Sequence, residues 1–169
     1  MKSPSELRPA VVADTGPLIA LARSGQLPLL ELLFSEIFLP ESVHGELCLE
    51  QPLPGTIALK ATFSKTDSIY RVQAARRIEP LLAEILDPGE AEAIALAAEK
   101  NCLLLIDERK GRRVARKQDI RIIGTGRILI AAKKYGYLKN VREPLAQLRG
   151  CGYRLSDALC QEIVRLAEN

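Results

Sequence analysis

The chain holds a single histidine, His44, among 169 residues. That scarcity excludes multi-histidine metal centres and weakens any Ser-His-Asp arrangement. Aromatic residues number seven, so stacking on bases cannot be the main way of holding a nucleic acid. The four cysteines, Cys48, Cys102, Cys151 and Cys160, include no close pair of the zinc-binding kind, and each sits in or beside an apolar stretch. They read as reduced, small packing residues. No apolar run approaches the ~20 residues of a membrane helix. The start, MKSPSELRP, is polar and carries no signal-peptide core, so a cytoplasmic protein is expected. No Gly-Lys-Ser/Thr loop for a nucleotide triphosphate is present.

Charge is plentiful and unevenly placed. The net charge is +3, yet residues 1–108 sum to −7, residues 109–149 to +11 and residues 150–169 to −1. A basic segment that begins directly after an acidic one fits a polyanion lying across an acidic site. Length and composition, 47% hydrophobic and 27% charged, fit one soluble domain with a real core.

Short apolar runs alternate with helical patterns. Residues 10–14, 36–39, 68–72, 102–106 and 120–123 read as strands. Helices are expected from Pro17 to Arg23, with Thr15 as cap, then over 27–34, 41–49, 56–64 and 81–86. Further helices follow from Asp87-Pro88 to about Lys100, and over 112–117, 127–135, 144–149 and 156–167. The QPLPG run at 51–55 is a turn. Strands alternating with helices predict an α/β fold, a three-layer α/β/α sandwich on a mainly parallel sheet.

Four acids stand where that fold would gather them. Asp14 ends the run VVA and Asp107 follows LLLI, so both lie just outside the carboxyl ends of strands. An ordinary cap or turn role is the alternative for each. Asp87-Pro88-Gly89-Glu90 has the form of a capping box. By helical period Glu90 shares a face with Ala93, Ile94 and Ala97, the buried stripe, whereas Glu92 and Glu99 point outward to solvent. Glu46 flanks the apolar side of its helix, where a plain surface glutamate is the competing reading, and His44 reads as a packing or surface residue. Glu108 faces away from Asp107 if the strand continues. Carboxylates brought close repel one another unless a cation sits among them. An oxygen-only set suits Mg2+ or Mn2+.

The row Arg109, Lys110, Arg112, Arg113, Arg116 and Lys117 reads either as a solvated helix face or as a phosphate-binding row. Few acids follow it before residue 149, which favours phosphate. Gly124-Thr125-Gly126-Arg127 follows a strand and opens a helix, so Thr125 can hydrogen-bond a carboxylate or a water held by a metal.

The order VVADTGPLIAL, VHGEL, LDPGEAEAIALA, LLLIDE and IIGTGRILIAAKKYG resembles a PIN domain, and within that family the VapC-like toxin ribonucleases. The resemblance spans about residues 10–136 of a single domain, with 137–169 as a helical extension. It implies an acidic Mg2+ or Mn2+ site that hydrolyses RNA phosphodiesters. It carries the family's acids onto Asp14, Glu46, Glu90 and Asp107, with Asp14, Asp107 and Glu90 as metal ligands and Thr15, Glu108 and Thr125 in support. It also implies a homodimer and a small antitoxin protein as partners. The run IDERKG departs from the family's TxDxxF-like pattern, since Ile106 replaces the threonine. The alternative is a catalytically weak RNA-binding or regulatory module that keeps the fold.

Overall fold

Five short strands, β1 (Ala10–Ala13), β2 (Glu36–Pro40), β3 (Tyr70–Gln73), β4 (Leu103–Leu105) and β5 (Ile122–Ile123), run parallel in the computed structural model, which describes residues 8–48 and 55–169. Their order is β3-β2-β1-β4-β5. Val11 of β1 stands beside Ile37 of β2 and Leu103 of β4. From β1 the chain winds outward through β2 and β3, then returns to lay β4 on the other side of β1. The order therefore reverses between β1 and β4, and in such sheets ligands bind in the crevice at the carboxyl ends of those two strands.

The helices lie on both faces. They are α1 (Thr15–Arg23), α2 (Pro28–Leu33), α3 (Glu41–Leu47), α4 (Thr56–Phe63), α5 (Pro80–Ile85), α6 (Pro88–Lys100), α7 (Arg109–Lys117), α8 (Thr125–Lys134), α9 (Arg142–Gly150) and α10 (Asp157–Glu168). Successive strand residues face opposite ways. Val11, Ala13, Ile37 and Leu39 accordingly join one core, with Leu18, Leu30, Leu129 and Leu148 from the helices. Val12, Phe38, Leu104 and Ile106 join the other, with Ile94, Leu96 and Ala115. This is the expected parallel α/β/α sandwich. Ile128, Leu129 and Ala132 of α8 are all fully buried, so that apolar face serves the core. Among the described residues no helix is long and apolar enough to cross a membrane.

Most expected elements appear with ends shifted by a residue or two. Leu49 and residues 51–54 of the expected turn lie outside the described residues. The four cysteines are free and half-buried rather than fully in the core. His44 packs its ring against Phe63, as a packing residue would.

Helix α6 departs from the periodicity reading. Every residue from Gly89 to Ala97 is buried, because α3, α5, α7 and the sheet wall it in from all sides. Glu92 is therefore not solvated. It is 5% exposed, and its carboxylate accepts the Ser42 N–H at 2.8 Å and the Ala75 N–H at 3.1 Å. It ties the start of α3 and the segment after β3 to α6. Glu99, two turns on, is exposed as expected, and accepts the Arg76 N–H at 2.7 Å.

Candidate metal centre

Asp14 leaves the sheet directly from β1, its N–H donating to the Leu105 carbonyl at 3.0 Å, and it is the N-cap residue of α1. Its side chain makes no capping bond. Thr15 is the first helical residue rather than the cap, and its hydroxyl donates instead to Glu46 Oε2. Asp14 is 7% exposed. Burial pushes its carboxyl from an ordinary 3.8 up to about 7, aided by the carboxylates of Asp87, Glu46 and Asp107, and only the Thr15 backbone hydrogen bond opposes the shift.

Glu90 reaches the same pocket from the first turn of α6. Asp87 caps that helix, its Oδ1 accepting the Glu90 N–H at 2.9 Å, as the capping-box spacing predicts. The Glu90 carboxyl is also raised to about 7, by burial first and then by Asp87, Asp14 and Glu108, while the Asp87 backbone hydrogen bond acts the other way. Asp87 is thus part of the charge cluster, a role its capping signature concealed in the sequence.

Glu46 comes from α3 and is exposed. Its Oε1 lies 2.6 Å from where a Cβ would stand at Gly89, so only a glycine in the first turn of α6 lets that carboxylate approach. Asp107 lies two residues past β4. Both its oxygens meet Thr125, the backbone N–H donating to Oδ1 at 2.8 Å and the hydroxyl to Oδ2 at 2.6 Å. The GTGR turn thus anchors Asp107 at the N-terminus of α8, where the helix dipole favours a negative charge. A Cβ at Gly124 would lie 3.0 Å from Asp107 Oδ1 and 2.6 Å from Arg112 Nη1.

Glu108 is not a strand residue facing away. β4 ends at Leu105, and Glu108 caps α7, accepting the Gly111 N–H at 2.8 Å. Arg112, of the same row, turns its Nη1 inward to donate to the Ile106 carbonyl at 3.1 Å, beside Asp107. Arg109, Arg113, Arg116 and Lys117 share one open surface of α7, and Lys110 is exposed beside them. Tyr153 gave no signal in the sequence. Burial raises its phenol well above the ordinary range, and so does the neighbouring Asp107 carboxylate, which it faces together with Thr125.

Carboxyl groups converge at the switch point of the sheet, and burial with neighbouring acids raises two of them, Asp14 and Glu90, to about 7. An all-oxygen, over-acidic pocket of this kind fits a hard divalent cation. Among the described residues no three acidic, histidine or cysteine side chains form a group that could hold a metal ion by themselves. Magnesium-type ions bind through one or two carboxylates, several waters and the substrate's own phosphate. A family model described as a PIN domain matches residues 10–169. The chain belongs to the PIN domain family. The match takes in residues 137–169, and with them Tyr153, α9 and α10. No curated protein matches the chain. PIN domains are generally nucleases and typically bind divalent metals, which agrees in kind with the chemistry of this PIN domain's pocket.

Proposed function

We propose that this PIN domain is a Mg2+- or Mn2+-dependent endoribonuclease. The observation that carries the reading is Asp14: a buried carboxyl, raised to about 7 and facing three further acids at the carboxyl ends of β1 and β4. Asp14 and Asp107 would hold the ion directly, with Glu90 contributing through the ion's waters. A bound divalent ion supplies positive charge to a phosphodiester and acidifies water.

The chain's own groups account for the rest. Glu46, exposed and hydrogen-bonded by the Thr15 hydroxyl, would accept a proton from attacking water. Thr125 fixes the Asp107 carboxylate through two hydrogen bonds. The guanidinium of Arg112, beside Asp107, offers charge to a phosphate at the reacting end. Arg109, Lys110, Arg113, Arg116 and Lys117 hold the flanking phosphates, which fixes position without reading sequence.

The test is cleavage of single-stranded RNA by the purified protein with Mn2+ or with EDTA, against Asp14→Asn. Metal-dependent cleavage lost in the variant supports the reading. Equal cleavage by both proteins rejects the site. The role as toxin of a toxin–antitoxin pair, acting in the cytoplasm as a homodimer held by a small antitoxin, is supported by the family resemblance of the motifs. Growth arrest on expression of the wild type, absent with Asp14→Asn, is its expected consequence.

A further inference from the structure

Beside Asp107 a cleft of about 500 Å3 opens between the starts of α7 and α8, the Tyr153–Ser156 segment and α10. Its rim carries Arg109, Arg127 and Arg154, all exposed. Among the described residues none of these three pairs with an acid within 4 Å. The exposed acid in the lining, Glu162, is paired with Arg165 at 2.7 Å. Between the cations the lining is apolar, with Leu155 and Ile163 buried and Leu159 46% exposed. Tyr153 stands at the end nearest Asp107. A Cβ at Gly126 would lie 2.7 Å from Ile163 Cδ1, so glycine there leaves room for the Ile163 side chain where α10 meets the first turn of α8.

Uncompensated guanidinium groups around an apolar lining and a tyrosine match a ligand that joins an anion to a flat, weakly polar body. We propose that the cleft seats one nucleotide of the RNA strand, with its phosphate among Arg109, Arg127 and Arg154 and its base against Tyr153 and Leu159. The inference rests on the ribonuclease reading, since the cleft opens at Asp107, where the strand to be cut must lie. It assigns base preference to the C-terminal segment 153–159, while α7 holds phosphates of any sequence. An acidic peptide would meet the same arginines but would leave the apolar lining and tyrosine without a flat partner.

The experiment titrates metal-free wild-type protein with adenosine 5′-monophosphate and with ribose 5-phosphate, following backbone amide shifts by NMR. The nucleotide is expected to move amides at 126–130 and 153–159. It should bind about tenfold more tightly than the sugar phosphate, the scale of one stacked base. Leu159→Glu, which puts a charge where the base would lie, should weaken the nucleotide about tenfold. Arg154→Gln should weaken both ligands alike. Arg142→Gln, on another groove, should change neither. Equal affinity for the two ligands, shifts confined to other surfaces, or displacement by an acidic peptide that binds more tightly than the nucleotide would each overturn the inference. RNA cleavage lost in Asp14→Asn, with no nucleotide in the cleft, rejects the cleft and keeps the ribonuclease reading. A nucleotide in the cleft of a protein that cuts no RNA with Mn2+ rejects the ribonuclease reading and leaves a nucleotide site.

Discussion

Glu90 and Glu92 stand two residues apart on α6 and both are buried, yet their surroundings are opposite. Glu92 sits where α3 and the segment after β3 meet the helix, and two backbone N–H groups point at its carboxylate. Glu90 sits at the end of the sheet, where its nearest charges are Asp87, Asp14 and Glu108. The first carboxylate answers donors that would otherwise be orphaned, and so holds elements together. The second adds to a repulsion that only protons or a cation relieve. Burial alone does not separate the two acids; the sign of the neighbours does.

The widest separation expected from this contrast is in activity. Asp14→Asn and Glu90→Gln should each lower RNA cleavage by about 10²–10³-fold, the scale of one preorganised electrostatic group. Both should leave the melting temperature at pH 7 unchanged or higher, because each removes a repelled buried charge. Glu92→Gln should retain most of the activity. A loss of cleavage in Glu92→Gln as large as in Glu90→Gln, at unchanged stability, would erase the distinction.

Stability should reverse the order. Glu92→Ala strands the half-buried Ser42 and Ala75 amides and should cost about 2–6 kcal/mol in denaturant unfolding, at about 1–3 kcal/mol for each amide left unsatisfied. Glu92→Gln keeps one acceptor and should cost less.

The pH dependence sharpens the same contrast. Asp14 and Glu90 are raised from 3.8 and 4.5 to about 7 in the fold. The folded state therefore binds more protons than the unfolded chain between about pH 4 and pH 7. Their contribution to stability is fully present below about pH 4 and is lost as pH rises through 7. Metal-free protein should melt progressively lower across that window, and Asp14→Asn should flatten the trend. Added Mn2+ should stabilise chiefly at the alkaline side, where the ligands are ionised. A melting temperature that climbs from pH 4 to 7 in the wild type but not in Asp14→Asn would contradict the sign of the shift.

The smallest effect concerns the basic face. Replacing Arg113 and Arg116 by Gln should reduce the salt dependence of RNA affinity by about one counterion for each phosphate no longer neutralised. The rate at saturating RNA should change little, since groups that bind substrate and transition state alike do not alter it. Arg112→Gln should instead lower the rate, because Arg112 stands beside Asp107. Equal behaviour of Arg112 and Arg113 variants would return Arg112 to the phosphate row.

Local patterns foretold much of this molecule. Runs such as VVA and LLLI are short and apolar enough to be strands buried on both faces, and the helical stretches between them force parallel pairing. The Asp87–Glu90 spacing foretold the Asp87 cap, though not the reciprocal bond from the Glu90 side chain, and Thr125 after a strand foretold a partner for a carboxylate. Tyr153 was not legible as a neighbour of the site, and Arg112 was legible only as one of the phosphate row, not as the neighbour of Asp107. Tyr153 lies 46 positions from Asp107 in the chain, and no local pattern marks which residues of a C-terminal segment return to the site. Arg112 sits in a row of similar residues, and only its place in the fold, against Gly124 and the Ile106 carbonyl, selects it.

The sequence by itself determined the alternation of elements, the positions of Asp14 and Asp107 just past their strands, and the cap that starts α6, because these depend on residues within a turn or two of one another. Tertiary structure decided that α6 is enclosed on every side, that Glu92 finds donors while Glu90 finds other acids, and that α10 closes a cleft beside Asp107. Those outcomes depend on which elements pack against which, and a helical period records only that one face is more apolar than another, not whether neighbours enclose the rest.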